Sequence, residues 1–402
     1  MDTFHPGGIF KNLPLGNKSF RTNTTSRLCW NIMFINKRIK WLYGAKMTYS
    51  PKGRFLLPYF IVLMTLLILI IVWLNTNQNF EMSTQCSPSE ANEFNGFYLR
   101  RKLSSNNNNI FFIESSCMTR EMNNSKGIRL NSRQACAIYS AAKKNPTRYI
   151  VLFHSCPLDN DFYEKASPVI KELLDLPNVA IVSKAIIDIY TGSLLEPLIH
   201  SGKIFQSQYP IEHNADILRI FLVYLFGGAY MDMDVVSLKP LDDLGHNFIG
   251  AQEETQLGSG VFQFDFDGNG HEYLKRILQE VVQNYDPYTW AGNGPVLAGH
   301  VLQKFCNMSA VIDWRIVGKI PGCNITVHPP KVFYPIEYSS WSTYYNESKA
   351  DYVKEQLKET YVVHVWNHLS RQADVIIGSN QPYGNIAKEH CAPIYWKSKH
   401  HF

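Results

Sequence analysis

The chain has 402 residues, of which 45% are hydrophobic and 13% aromatic, so it can bury one large core or two modest ones. This composition excludes an intrinsically disordered protein. The formal net charge of +5 comes mostly from the first segment of the chain, and the sequence therefore predicts no nucleic-acid partner.

An uncharged apolar run, FLLPYFIVLMTLLILIIVWL, covers residues 55–74. Its length matches the about 20 residues that an α-helix needs to cross a bilayer. A buried core helix would be shorter and would show a polar face. A cleaved signal peptide would end in small residues, which residues 75–78 do not provide. We therefore predict a transmembrane signal anchor at residues 55–74.

Basic residues crowd the amino-terminal side of this span, whereas residues 75–94 contain no lysine or arginine. The basic residues are Lys37, Arg38, Lys40, Lys46, Lys52 and Arg54. The positive-inside rule then makes residues 1–54 cytosolic and everything after the span lumenal. Met47 is an alternative start within this long leader.

Seven cysteines follow the span and would face an oxidising lumen, where disulfides form. They are Cys86, Cys117, Cys136, Cys156, Cys306, Cys323 and Cys391. Because seven is odd, at least one thiol stays free or pairs between chains, which would allow a homo-oligomer. The sequence does not give the connectivity, although Cys306 and Cys323 are candidates for a local pair.

Four tripeptides on the predicted lumenal side match the N-glycosylation acceptor pattern. They begin at Asn123, Asn307, Asn324 and Asn346.

Residues 75–109 are polar and include a serine and asparagine run at 104–109, which predicts a flexible stem. Residues 110–402 alternate short β-branched or aromatic runs with amphipathic stretches, which predicts one lumenal α/β domain. The expected strands are 110–113, 149–153 and 179–182, and the expected helices are 132–144 and 162–174. This alternation implies a parallel sheet of the nucleotide-binding type.

The chemistry is expected between residues 214 and 241, where a helical pattern stops at Gly227 and Gly228 and a short strand runs into Asp232-Met233-Asp234. Residues two apart on an extended chain point to the same side, so both carboxylates would aim at one spot. Such a pair calls for a divalent cation, which could bridge to a diphosphate. An isolated D-x-D motif is weak, but this one follows a strand of an α/β sheet, at the edge where such sheets bind ligands.

Other nucleotide and metal motifs fit less well. The chain has neither G-x-G-x-x-G nor a Walker loop, which disfavours a dehydrogenase or P-loop enzyme. The stretch starting at Asp265 begins like a calcium-binding EF-hand loop, but Arg276 stands where that loop needs a glutamate. We therefore interpret residues 265–270 as a turn.

The sequence resembles the alpha-1,4-glycosyltransferase family, which includes lactosylceramide 4-alpha-galactosyltransferase. The resemblance spans most of the lumenal part and rests on several pieces that recur in order. These are residues 112–116 (FIESS), 136–142 (CAIYSAA), 216–241, 284–295 (NYDPYTWAGNGP), 333–336 (FYPI) and 361–367 (YVVHVWN).

The resemblance implies a GT-A fold in which Asp232 and Asp234 hold Mn²⁺, or another divalent cation, against a UDP-sugar. It also implies that Asp216 and Arg219 contact the donor sugar, and their spacing of three places them on one helix face. A solvated surface charge is the alternative for Arg219.

The resemblance further suggests a third metal or phosphate ligand in His364, for which a core histidine is the alternative. It places Trp366 near the closing C-terminal strand and suggests that Asn293 and Gly294 shape an acceptor or donor loop. A structural turn is the alternative for that loop.

As a function, the resemblance implies a retaining transferase of the Golgi membrane that adds galactose or an N-acetylhexosamine in alpha-1,4 linkage to a glycosphingolipid. The sequence does not distinguish UDP-Gal, UDP-GalNAc and UDP-GlcNAc as donors. It names no nucleophile, although Glu253 and Glu254 follow a predicted strand. A glycan-binding protein that lost turnover, or a transferase for glycoproteins or polysaccharides, is the alternative.

Overall fold

The computed structural model describes residues 107–115, 128–155, 158, 162–309, 311–398 and 401–402. They belong to the second of two units of the chain, Met82–Phe402. The predicted cytosolic segment, membrane anchor and most of the stem lie outside the described residues, as do Asn123, Cys86, Cys117 and Cys156. Among the residues that are described, no helix combines the length and apolar character needed to cross a membrane.

Short apolar runs form the strands, and the first three lie where the sequence predicts them. The strands are β1 (Asn109–Glu114), β2 (Tyr149–His154), β3 (Val179–Ser183), β4 (Gly228–Met231), β5 (Val235–Ser237), β6 (Phe248–Ala251), β7 (Leu257–Phe264), β8 (Gly318–Ile320), β9 (Ile325–His328) and β10 (Val362–His364). β-branched and aromatic residues favour this conformation because they pack well on a pleated surface.

Eight strands form one sheet in the order β3-β2-β1-β4-β7-β6-β9-β8, and β5 pairs separately with β10. The prediction of a parallel sheet is correct for β1 to β4, but β7 runs antiparallel to β4 and β6, and β8 runs antiparallel to β9. The sheet is therefore mixed. The reason lies in the connections: only residues 252–256 join β6 to β7, and so short a loop can return the chain only in the opposite direction.

Helices cover both faces of the sheet. They are α1 (Ser132–Lys144), α2 (Phe162–Lys165), α3 (Pro168–Leu174), α4 (Ile186–Tyr190), α5 (Glu196–His200), α6 (Pro210–Phe226), α7 (Gly268–Asn284), α8 (Pro295–Phe305), α9 (Ala350–Gln356), α10 (Asn367–Ser370), α11 (Pro382–His390) and α12 (Ala392–Lys397). The bounds of α1 agree with the prediction, and Asn131 and Gln134 form a capping box at its start.

The helix predicted over residues 162–174 is interrupted. Ser167 caps the second part by accepting a hydrogen bond from the Ile170 backbone, and Pro168 occupies the first turn, where a missing N–H is tolerated. The predicted turn at 265–270 covers only residues 265–267, because α7 begins at Gly268.

Two apolar clusters lie on opposite faces of the sheet, because successive side chains of a strand point to opposite sides. In β1, Ile110 and Phe112 belong to the cluster that includes α1 and α11, whereas Phe111 and Ile113 belong to the cluster that includes α6 and α7. This three-layer packing leaves the carboxyl edge of the sheet open.

Two disulfides join described cysteines. The local pair Cys306–Cys323 is confirmed, and Cys136 in α1 is bonded to Cys391, which precedes α12. The three described glycosylation candidates, Asn307, Asn324 and Asn346, are all exposed, and their glycosylation stays a prediction.

Candidate active site

A cleft of about 410 Å³ opens at the carboxyl ends of β1 and β4. The chain passes from β1 outward to β2 and β3 and then returns to β4 on the other side of β1, so the strand order reverses between β1 and β4. Open α/β sheets bind ligands at such a reversal. The cleft is lined by Glu114 and Ser115 at the end of β1 and by Asp232 after β4. The sequence predicts this position at the edge of the sheet for Asp232.

The two glycines between α6 and β4 permit the close approach of β4 to its neighbours. Gly227 has φ of 65° and Gly228 has φ of 103°, values that side chains with a Cβ rarely adopt. A Cβ on Gly228 would lie 2.3 Å from the Asn109 carbonyl oxygen, inside van der Waals contact. The Gly-Gly break therefore ends α6 and lets β4 pair with β1 directly before Asp232.

The carboxylates of Asp232 and Asp234 converge with the imidazole of His364. The Nε2 atom of His364 lies 3.2 Å from Asp234 Oδ1 and 3.7 Å from Asp232 Oδ2. Within the described part of the chain, these three residues form a group whose ligand atoms all lie within 4.8 Å of one another.

The extended-chain argument for this convergence is wrong, because β4 ends at Met231 and residues 233–234 form a turn. Long-range contacts hold the two carboxylates instead. The Asp232 backbone N–H donates to the Gly260 carbonyl at 2.8 Å, and the Asn367 backbone N–H donates to Asp234 Oδ2 at 2.9 Å. Antiparallel pairing of β10 with β5 places His364 opposite Val235 and thus beside Asp234.

Arg219 links the two predicted groups of site residues. Its guanidinium lies 3.2 Å from Asp216 Oδ1 and 3.2 Å from Asp232 Oδ1, and it donates to the Ser259 carbonyl at 2.9 Å. It also stacks 4.6 Å from the ring centroid of Tyr230, whose hydroxyl donates to Asp232 Oδ1 at 2.6 Å. Arg219 is 8% exposed, so the alternative of a solvated surface charge is wrong.

Burial and mutual charge shift the titration of this cluster. Burial would raise the pKa of Asp232, but Arg219, His364 and Tyr230 lower it to about 2. Burial raises the pKa of Asp234, and Asp232 adds to that shift while His364 opposes it. Burial acts to lower the pKa of His364, but Asp234 and Asp232 raise it above its ordinary value. The raised pKa of His364 thus reflects the negative charge of the two carboxylates, which a bound cation would also balance.

The donor set fits a divalent ion. Carboxylate oxygens suit Mg²⁺ and Mn²⁺, and an imidazole is also a good ligand for transition metals. The Trp366 backbone N–H donates to Nδ1 of His364 at 3.3 Å, which places the proton of the neutral ring on Nε2. Asp232 and Asp234 can therefore bind an ion as they stand, whereas His364 would bind through Nε2 only if its proton moved to Nδ1, which would give up the hydrogen bond from Trp366.

The predicted loop residues have structural contacts. Asn293 is 2% exposed, and its side-chain amide accepts from the Asp286 N–H at 3.0 Å and donates to the Asp286 carbonyl at 2.6 Å. Trp366 is 8% exposed and donates from its indole to the Ile336 carbonyl at 2.8 Å. Neither side chain lines the cleft, although Trp290, Ala291 and Pro295 of the same loop do, and the role of the loop stays a prediction.

Gly294 and the two glutamates at 253 and 254 complete the predicted set. A Cβ on Gly294 would lie 2.5 Å from Asp216 Oδ2, so this glycine leaves room for the Asp216 carboxylate. Glu253 and Glu254 follow β6 as expected but do not line the cleft, and Glu254 instead pairs with Arg315 at 2.9 Å.

Sequence reasoning missed several residues that line the cleft, among them Glu212, Trp290, Asn367 and His368. Glu212 precedes Asp216 by four residues, and that helical spacing would have placed both on one face. The side-chain oxygen of Asn367 is buried without a hydrogen-bond partner in the described structure, which suits a polar ligand in the cleft. Nothing in the local pattern around Trp290 distinguishes it from a core residue.

Comparison with known proteins identifies the family of the chain. The family model "Glycosyltransferase sugar-binding region containing DXD motif" matches residues 131–254, and the model "Alpha 1,4-glycosyltransferase conserved region" matches residues 266–398. Lactosylceramide 4-alpha-galactosyltransferase of Pongo pygmaeus is 32% identical over 158 residues, which are 39% of this chain and 68% of that protein. The chain belongs to the alpha-1,4-glycosyltransferase family.

Other similar proteins are members of the same family. Lactosylceramide 4-alpha-galactosyltransferase of Mus musculus is 28% identical over 285 residues, covering 70% of this alpha-1,4-glycosyltransferase and 74% of the mouse protein. Alpha-1,4-N-acetylglucosaminyltransferase of Homo sapiens is 30% identical over 183 residues, covering 45% and 51% of the two chains. These matches identify the chain as a hexosyltransferase.

The galactosyltransferase LgtC, solved with donor and acceptor sugar analogues, is a structural neighbour with a TM-score of 0.36 and 12% identity. The structural match includes 96% of LgtC and 70% of this alpha-1,4-glycosyltransferase. Nothing about function follows from so low a score.

Proposed function

We propose that the protein transfers galactose or an N-acetylhexosamine from a UDP-sugar, with retention, in alpha-1,4 linkage to the terminal sugar of a glycosphingolipid. The observation that carries this proposal is the convergence of Asp232, Asp234 and His364 beside the Arg219–Asp216 pair in one cleft. The relatives named for lactosylceramide support a glycolipid acceptor.

The residues of the cleft divide into two groups with different tasks. Asp216, held by Arg219 at 3.2 Å, would accept hydrogen bonds from the hydroxyls of the donor sugar. Asp232 and Asp234 would hold a divalent ion, proposed to be Mn²⁺, with His364 as a third ligand once the proton of its ring is on Nδ1. When bound, such an ion supplies charge neutralisation for the departing diphosphate.

Two features support the donor position. The cleft lies where the strand order reverses, the usual nucleotide position of an open α/β sheet. Arg219 keeps its charge because Asp232, Tyr230 and Asp216 raise its pKa although burial acts to lower it. It thereby fixes Asp216 and Asp232 relative to each other, which orients the donor sugar with respect to the diphosphate.

The proposal includes a GT-A fold and a type II orientation in the Golgi membrane. The apolar run at 55–74 and its basic amino-terminal flank support the orientation. Disulfides between described cysteines are typical of proteins that fold in the secretory pathway.

The test is a donor screen with the full-length protein in detergent-solubilised membranes. UDP-Gal, UDP-GalNAc and UDP-GlcNAc are each offered with lactosylceramide, with and without Mn²⁺, and the product linkage is determined. We expect one donor to give an alpha-1,4-linked product only when the ion is present.

The matched variants are Asp232→Asn and Asp234→Asn, with Asp243→Asn as the control because Asp243 is an exposed carboxylate on a short 3₁₀ helix. Each site variant should lose about 100-fold or more of its transfer rate, the scale seen when one preorganised electrostatic group is removed. Undiminished transfer by the double variant would refute the ion-binding role of the two carboxylates, and absence of product with every donor would refute the transfer reaction.

A further inference from the structure

Trp290 presents an apolar face in the cleft that the proposed donor chemistry does not use. Its side chain lines the cleft and is 39% exposed. Its ring centroid lies 4.5 Å from that of His368 and 5.0 Å from that of Tyr209. A tryptophan this exposed within a cleft marks a surface that a ligand can cover.

The loop that carries Trp290 is fixed by its own hydrogen bonds. The Asp286 carboxylate accepts from the Tyr288 N–H at 2.7 Å and from the Thr289 N–H at 3.2 Å. The reciprocal pair between Asp286 and Asn293 closes the loop from the other end. A rigid loop can present Trp290 without losing entropy when a ligand arrives.

A buried histidine ties this loop to the helix of the donor site. The Nε2 atom of His213 in α6 lies 3.0 Å from the Thr289 carbonyl, which can only accept, so Nε2 carries the proton. Nδ1 then accepts from the Ser207 hydroxyl at 2.8 Å. Since Asp216 follows His213 by three residues, Trp290 and Asp216 are positioned by one helix.

Exposure separates the floor of the cleft from its mouth. The side chains of Arg219, His364, Asp234 and Asp232 are 9, 9, 18 and 24% exposed, respectively. Around Trp290 the loop residue Tyr288 is 63% exposed and Leu369 is 44% exposed. The tryptophan therefore lies on the solvent side of the cleft, above the ionic cluster of its floor.

We propose that Trp290 is the stacking platform for the terminal sugar of the acceptor, with Glu212 and His368 as hydrogen-bonding partners for its hydroxyls. The ligand class is a neutral hexose, whose face of C–H groups packs on a flat apolar ring while its edge hydroxyls need polar partners. Glu212 and His368 both line the same cleft. This inference rests on the proposed function, because it assigns the acceptor of that reaction.

The test compares Trp290→Ala, Trp290→Leu and Trp290→Phe in the full-length protein, with methyl β-lactoside as the acceptor probe and the donor selected in the screen above. Trp396→Ala is the control, since Trp396 is 52% exposed and does not line the cleft. The Ala and Leu variants should raise the KM for the lactoside by about tenfold, which corresponds to 1.4 kcal/mol. The KM for the UDP-sugar should change little, and Trp290→Phe should stay close to wild type because it keeps a flat ring.

Equal lactoside KM values for Trp290→Phe and Trp290→Leu would overturn the platform, because stacking needs the ring and not only its apolar volume. A rise confined to the KM for the UDP-sugar would also overturn it and would place the nucleotide base on Trp290.

Binding of the lactoside in the presence of UDP and Mn²⁺, measured by saturation-transfer NMR, separates this inference from the function. If the wild type binds the lactoside, Trp290→Ala weakens that binding, and no donor gives a product, the transfer reaction would be refuted and the subsite retained. Absence of lactoside binding to the wild type would overturn the subsite.

Discussion

The phenol of Tyr230 joins the arginine and the first carboxylate of the D-x-D motif. Its ring lies under Arg219 while its hydroxyl donates to Asp232 Oδ1 at 2.6 Å. Tyr230→Phe keeps the ring and removes only the hydrogen bond. We expect Mn²⁺ affinity to fall by about tenfold, as for the loss of a partner that orients a metal ligand.

Metal titration of transferase activity measures this effect. The control is Tyr273→Phe, because Tyr273 is equally buried but donates to the Ala298 carbonyl, away from the cluster. The control should lower the melting temperature and leave Mn²⁺ affinity unchanged. Equal affinities for Tyr230→Phe and wild type would show that the hydroxyl does not position Asp232 for an ion.

Asp216 should give the reaction a pH dependence. Burial raises the pKa of Asp216 to about 6, Arg219 opposes that shift, and Asp232 and Glu212 add to it. The side chain therefore takes up a proton as the pH falls through about 6, and the neutral acid binds the hydroxyls of the donor less well. We expect kcat/KM for the UDP-sugar to fall with pH in that range, since this parameter reports the free enzyme.

A pH profile of Asp216→Asn provides the comparison. The variant should have a lower plateau and should lack the decline near pH 6, because its amide does not titrate. Any fall in kcat/KM that protonation of His364 causes would remain in both proteins. An identical profile in the variant would assign the whole decline to other groups.

At the scale of the element, the start of α8 is shaped around Asp216. Gly294 directly precedes the helix, and a Cβ there would lie 2.5 Å from Asp216 Oδ2. Gly294→Ala should displace that carboxylate and raise the KM for the UDP-sugar by about tenfold, the effect of 1.4 kcal/mol of lost binding. Steady-state kinetics with varied donor measures this change.

The matched control for that variant is Gly299→Ala within the same helix. A Cβ on Gly299 would meet Trp314 at 3.6 Å, which is ordinary contact. Because alanine favours a helix over glycine, this control should unfold at the same temperature as wild type or a slightly higher one. If Gly294→Ala leaves the KM for the UDP-sugar unchanged, the loop moves to make room for the methyl group and the Asp216 carboxylate keeps its position.

Local patterns sufficed for elements whose residues set their own conformation. The apolar runs of β1 to β3, the capped α1 and the glycine break after α6 are all visible in the sequence, and the structure confirms them. The interruption at Pro168 has a local cause, the Ser167 cap with proline in the first turn, although the amphipathic pattern predicts one continuous helix. The antiparallel course of β7 depends on which strand it pairs with, and pairing across the sheet leaves no periodic signal.

The same distinction applies to the cleft. Asp216, Arg219, Asp232 and Asp234 lie within one continuous stretch, so spacing and the resemblance locate them. His364 reaches this stretch only because β10 pairs with β5, a contact between distant parts of the chain. The position of Trp290 likewise depends on the hydrogen bond from His213 in α6 to its loop.

At the scale of the whole molecule, the C-terminal segments close over the N-terminal half of the domain. α12 packs beside α1, and β10 adds to β5, so residues after 360 contribute to both the core and the cleft. The Cys136–Cys391 disulfide fixes this arrangement by linking residues 255 apart in the sequence.

Removal of this disulfide should therefore destabilise the protein more than removal of the local one. The chain-entropy relation gives about 5 kcal/mol for the long closed loop and about 3 kcal/mol for the short loop of Cys306–Cys323. We expect Cys136→Ala with Cys391→Ala to lower the melting temperature further than Cys306→Ala with Cys323→Ala. The comparison uses thermal unfolding under non-reducing conditions. A larger decrease for the short loop would contradict the closure argument and would show that packing around Cys306 and Cys323, rather than chain entropy, dominates the stability of the domain.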